Sequence, residues 1–225
     1  FYSGSVFRRK NNMSGYGEIA QVGAEIAGVS GIDADIEIVR VMARTLRAIG
    51  VSDFLVDIGT VEVFKGIVAG TTLELGRLDA IREAIHRKDD AQIQSLIEGA
   101  GLSDAKRKAL AALPGWFGGR EVFDRAVECV ESARSREGLD HLRRVYDALS
   151  APEPAGGLGS RVTVDLGVVQ SLDYYTGAVF EAYAGRVGQP IASGGRYDRL
   201  ADRYGKSIPA TGFALNLPLL IDLVP

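Results

Sequence analysis

A chain of 225 residues with 46% hydrophobic and 24% charged residues has the mass to bury a sizeable core. Its net charge of −3 gives no overall attraction to nucleic acid, one cysteine excludes an intrachain disulfide, and two histidines leave little material for a metal site. No apolar run reaches the roughly 18 residues of a membrane span and no signal-peptide pattern occurs, so the composition fits a reducing cytoplasm with no membrane partner.

The first residue, Phe1, already stands in a strand-like run, as expected of a piece of a longer protein. Residues 1–9 and 17–27 read as two β-runs of one antiparallel hairpin, and the Asn, Ser and Gly between them favour a long open turn. Asp33 is placed to cap a helix whose apolar positions Ile38, Val39, Met42, Leu46 and Ile49 fall three and four apart, with Gly50 as its stop. Phe54, Val56 and Ile58 alternate as a strand, and residues 61–69 read as a short helix or turn ending at Gly70. From residue 73 to 150 the pattern is consecutively helical. Leu78, Ile81 and Ile85 form one stripe, and Ile93, Leu96 and Ile97 form a second behind an Asp90 cap. Ser103 opens a third helix, residues 114–119 break the run, and two further helices carry Val122, Phe123, Val127 and Val130, then Leu139, Leu142, Val145 and Leu149. The charge runs 106–108 and 143–144 suit solvated faces.

A Pro- and Gly-rich linker over 151–159 leads to a strand over 161–169. Next comes Gln170-Ser-Leu-Asp-Tyr-Tyr-Thr-Gly-Ala-Val-Phe-Glu181 and, about ten residues on, Ser193-Gly-Gly-Arg-Tyr-Asp198. Ala178, Phe180 and Ala182 alternate as one buried face of a hairpin tipped with Asp173, Tyr174, Tyr175 and Arg196. Such a hairpin suits the floor of a small polar-ligand site, and equally a structural hairpin with two core tyrosines. Residues 196–204 read as a short helix and 211–220 as an apolar strand-to-helix passage.

Leu172-Asp-Tyr-Tyr-Thr-Gly177 with Val179-Phe-Glu181, then Gly194-Gly-Arg-Tyr-Asp198, resemble the two histidine-recognition motifs of histidyl-tRNA synthetases. Gly4-Ser-Val-Phe-Arg8 followed by Gln21-Val-Gly-Ala-Glu25 resembles the strand–loop–strand motif 2 of class II synthetases, and Gly212-Phe-Ala-Leu215 stands where motif 3 begins. The resemblance covers nearly the whole chain in the right order. It implies an α+β class II aminoacyl-tRNA synthetase-like catalytic-domain fold, an antiparallel sheet flanked by helices, built from residues 1–72 and 151–225 with an all-helical insertion at 73–150. It also implies a histidine pocket in which Glu25 meets the imidazole, Gln21 the α-amino group, and Tyr174 and Tyr175 the ring, with Arg8, Asp173 and Arg196 completing the set. That assignment makes chemical sense, because an imidazole N–H needs an acceptor, its faces suit aromatic walls, and an ammonium needs oxygen. On spacing alone, Glu25 and Gln21 would be exposed polar residues of a strand.

The departures carry as much information. The synthetase pattern has an arginine just before Leu-Asp-Tyr-Tyr, where this chain has Gln170-Ser171, and another in the motif 2 loop, near Ser14-Gly-Tyr-Gly17. Its motif 3 reads Gly-Leu-Glu-Arg-Leu against Asn216-Leu-Pro-Leu-Leu220 here, so Arg8 alone remains of the expected cations. Losing one preorganised group aimed at transition-state charge typically costs about 3 kcal/mol, and several such losses leave no useful synthetase even when they are not additive. A retained pocket without the ATP apparatus resembles a non-charging branch of the family, the regulatory subunits of ATP phosphoribosyltransferase. That resemblance implies no catalytic residue, no cofactor and no metal. The partners it implies are a short-form ATP phosphoribosyltransferase catalytic subunit, a second copy in a homodimer and free histidine as feedback inhibitor, with no tRNA. A divergent histidyl-tRNA synthetase that charges tRNA with histidine is the enzyme alternative, and a stand-alone histidine sensor is a third.

Overall fold

Along residues 21–26, Gln21, Gly23 and Glu25 alternate with Val22, Ala24 and Ile26, and this period of two separates the faces of a sheet. The computed structural model describes residues 1–9, 16–152, 157–169, 174–185 and 187–224, apart from the side chains of residues 8, 9 and 16. Strands β1 (Tyr2–Arg9) and β2 (Tyr16–Ala27) form the expected antiparallel hairpin. Helix α1 (Ile32–Ala48) buries Ile38, Val39, Met42 and Leu46. The expected Asp33 cap is corrected: the N-cap is Gly31, without a side-chain cap bond, and Asp33 lies within the first turn. Strand β3 (Phe54–Thr60) runs into α2 (Val61–Val68), whose N-terminus is capped by the Thr60 hydroxyl accepting from the Glu62 N–H.

Helices α3 (Leu75–His86), α4 (Asp90–Ile97) and α5 (Asp104–Ala112) follow. Ser103 caps α5 as expected, whereas α4 is capped one residue earlier than expected, by Asp89 accepting from the Gln92 N–H at 3.0 Å. The stretch is not wholly helical. After a 3₁₀ turn at Leu113–Gly115, Phe117–Gly118 form β4, too short for an alternating pattern to reveal. Helices α6 (Glu121–Cys129) and α7 (Ala133–Leu149) complete it.

Strand β5 (Val162–Asp165) is shorter than expected because the Asp165 carboxylate turns back to accept the Gly167 N–H at 2.8 Å. Then come β6 (Ala178–Ala184), β7 (Ala192–Arg196), a 3₁₀ turn at Leu200–Tyr204, β8 (Ala210–Asn216) and α8 (Leu217–Ile221). The sheet order is β1-β2-β8-β7-β6-β3-β5-β4. Every neighbouring pair is antiparallel except β3 with β5, so the expected antiparallel sheet carries one parallel pair. Parallel neighbours need a long crossover, and here the helices from α2 to α7 lie in it.

The strand register sorts the side chains. Phe54, Val56, Ile58, Phe180, Ala182, Phe213 and Leu215 point to the helix-covered face, and they share one buried cluster with Ile81, Leu110, Phe123 and Leu142 from the helices. The opposite face carries Gln21, Glu25, Ser193, Glu181, Asp57 and Thr163. The architecture is α+β, and no helix among the described residues is long and apolar enough to cross a membrane.

Candidate functional site

On the polar face of the sheet, Glu25 of β2 stands opposite Gly212 of β8, which stands opposite Gly195 of β7. The glycines make room. A Cβ on Gly212 would overlap the Glu25 carboxylate, and one on Gly195 would come within 2.8 Å of the Tyr175 ring. One pair further along β2, the Tyr2 ring covers Gly23 in the same way, between Glu25 and Gln21. The absence of side chains on three adjoining strands thus lets a carboxylate and two aromatic rings lie close over the backbone.

The wall is aromatic. Tyr174 and Tyr175 have ring centroids 4.5 Å apart, and Tyr197, just past the end of β7, meets Tyr174 edge-on at 5.8 Å and 90°. Tyr175 also joins Val61, Val168 and Val179 in a small buried cluster that fixes its ring. The Tyr197 hydroxyl donates to Glu25 Oε2. Partial desolvation pushes the Glu25 carboxyl above its ordinary value, opposed by that hydrogen bond, and desolvation together with the neighbouring carboxylate raises the Tyr197 phenol. A carboxylate with one hydroxyl donor keeps further lone pairs for a ligand N–H. Flanked by tyrosine rings, it is suited to a flat, N–H-bearing ring such as an imidazole.

Gln21 is 7% exposed on the same face, about 13 Å along the strand from Glu25 at four residues' separation. Asn216 stands opposite it with a buried Oδ1 that has no hydrogen-bond partner among the described residues, an acceptor available to a ligand donor. Glu25, Tyr174 and Tyr175 are therefore brought together, with Gln21 on the same face further along β2. Asp173 lies outside the described residues, as do Gln170 and Ser171. Of Arg8, only its backbone is placed, in β1 opposite Gly17.

Arg196 is a correction. Parity along β7 sends its side chain to the helix-covered face, where the guanidinium is 4% exposed, paired with Asp35 and Asp198 and donating to the Gly31 carbonyl at 2.6 Å. It is a strut behind the pocket rather than a wall of it. Sequence reasoning missed Tyr2, Tyr197 and Asn216. The alternation of Gly195 and Tyr197 on one face against Arg196 on the other was the available signal for the second of these. Helix α8, at the motif 3 position, presents Leu217, Pro218, Leu219 and Leu220. Among the described residues, no group of three or more His, Cys, Asp and Glu is arranged to hold a metal ion.

Comparison with known proteins gives a consistent picture. The family model described as histidyl-tRNA synthetase matches residues 1–220. The chain is 41% identical over 217 residues to an ATP phosphoribosyltransferase regulatory subunit of Syntrophotalea carbinolica, covering 96% of this chain and 50% of that protein. It is 40% identical over 221 residues to the protein of the same description from Geobacter sulfurreducens, covering 98% and 50%. Among solved structures it is similar to an ATP phosphoribosyltransferase regulatory subunit/histidyl-tRNA synthetase from Bacillus halodurans C, at 29% identity and a TM-score of 0.84, over 100% of this chain and 57% of that one. The chain spans about half the length of the curated relatives it matches.

Proposed function

Because the chain belongs to the histidyl-tRNA synthetase family, we propose that it is the synthetase-like part of a regulatory subunit of ATP phosphoribosyltransferase, a pocket kept for binding histidine and no longer used to activate it. The observation that carries this reading is the 41% identity, over 96% of the chain, to a regulatory subunit of that description. It is supported by a pocket of Glu25, Tyr174, Tyr175 and Tyr197 beside an α8 without a cation. In this reading the chain does no chemistry of its own. It works in the cytoplasm as a homodimer, without tRNA, and associates with a short catalytic subunit that joins phosphoribosyl to ATP in the first step of histidine biosynthesis. Free histidine in the pocket then lowers the activity of the assembly, and a coupling of about 1–3 kcal/mol between the sites would suffice.

Reconstitution tests it. The full-length protein carrying this chain, added to a short catalytic subunit, should support ATP phosphoribosyl transfer that histidine inhibits. Histidine-dependent exchange of pyrophosphate into ATP by the full-length protein alone would replace this reading with a working synthetase.

A further inference from the structure

Behind the tyrosine wall, on the helix-covered side of the sheet, the carboxylate of Asp35 in α1 is 1% exposed and shared between two partners. Arg196 Nε donates to its Oδ1 and Oδ2 at 2.9 and 3.0 Å, and His141 Nε2, from α7, lies 3.0 Å from Oδ2. An ionised carboxylate only accepts, so that imidazole nitrogen carries the hydrogen. The Arg196 segment is in turn clamped to the loop that holds the pocket tyrosines. The Thr176 N–H donates to the Arg196 carbonyl at 2.8 Å, and the Asp198 N–H donates to Thr176 Oγ1 at 2.9 Å.

Tyr174 and Tyr175 immediately precede Thr176, and Tyr197 lies between Arg196 and Asp198. All three rings therefore sit on one hydrogen-bonded unit whose buried charged anchor is Asp35. Helix α7 reaches that anchor across a cleft of about 230 Å³ lined in part by Thr60, Glu62, Arg134, Thr176 and Arg196. His141 projects into the cleft with its side chain 29% exposed, so the link is a single side-chain contact with space beside it.

We propose that Asp35 and His141 are positioning residues for the pocket. Asp35 holds the 196–198 segment, and with it the Tyr197 hydroxyl, against Glu25, and His141 holds the Asp35 carboxylate in place from α7. This inference rests on the reading of the pocket as a histidine site and names the residues that hold its tyrosine wall from behind.

Calorimetric titration of L-histidine into the full chain tests it, with His141→Leu, His141→Gln and Glu25→Gln compared and thermal melts confirming that each variant folds. His141→Leu should weaken binding roughly 5-fold or more, and His141→Gln, which keeps an N–H donor at similar reach, should restore most of the loss. Equal loss in the Leu and Gln variants would assign His141 to packing and overturn the proposal. Wild-type affinity in His141→Leu alongside weakened binding in Glu25→Gln would overturn it while leaving the pocket reading intact. Unchanged binding in Glu25→Gln would remove the pocket reading, and this inference with it.

Discussion

Glu25 combines two demands that oppose each other. Desolvation raises its pKa, so relative to an unfolded chain the stability owed to its protonated form is fully present below the ordinary value of 4.5 and is lost as pH rises through the folded-state value. Above that window the ionised group is a cost to the unliganded fold and an asset to a ligand carrying N–H donors. Glu25→Gln should therefore weaken histidine binding by about 10- to 100-fold, the range of a charge-assisted hydrogen bond, while raising the neutral-pH melting temperature slightly. That gain should vanish in acid. Calorimetry and melts across the acid range measure both, and a variant less stable than wild type at neutral pH would contradict the desolvation argument. Gly212→Ala pushes a methyl group into the Glu25 carboxylate and should cost at least 10-fold in histidine affinity by the same titration. Motif order singled out Glu25, Tyr174 and Tyr175, and the fold brings them together, Tyr197 bridging Glu25 and the tyrosine wall. Arg196 was expected in the pocket and Tyr197 was left out because a motif names residues without saying which face of a strand each occupies.

Helices α2 and α7 are pressed together through small residues. Gly66 of α2 faces Ser135 of α7, whose buried hydroxyl donates to the Val63 carbonyl at 3.0 Å, and Gly138 faces Glu62. A Cβ on Gly66 would overlap the Ser135 side chain, so Gly66→Ala should destabilise the chain by about 1–3 kcal/mol in urea unfolding, the usual cost of overpacking. At the outer end of the same pair, Arg134 forks onto Glu62 at 2.6 and 2.9 Å, but the arginine is half exposed and its removal should be felt much less. The helices themselves were legible, since Ile81 with Ile85 and Leu139 with Leu142 lie where their spacing puts them. Their ends were less so. Adjacent aspartates at 89 and 90 offer the same chemistry one residue apart, and only geometry decides which carboxylate reaches the Gln92 N–H. Strand β4 escaped because two residues carry no period.

For the whole molecule, the proposed regulatory role requires assembly, and sedimentation of the full-length protein at micromolar concentration should give a dimer. A monomer would count against a synthetase-like arrangement. The order of motifs made the fold class readable, but not the parallel pairing of β3 with β5, whose partners stand about a hundred residues apart with no local pattern to announce them. A still wider separation governs β2 and β7, which are not hydrogen-bonded to each other: β8 lies between them and supplies Gly212 to the floor under Glu25. A chain emerging from the ribosome consequently holds Glu25 on β2 and Tyr197 just past β7, two strands with facing open edges, until residues 210–216 arrive. Before that moment there is no binding site, and the two edges are free to pair wrongly or to recruit a chaperone. Under the proposed reading, histidine would stabilise only the finished sheet, never a nascent one.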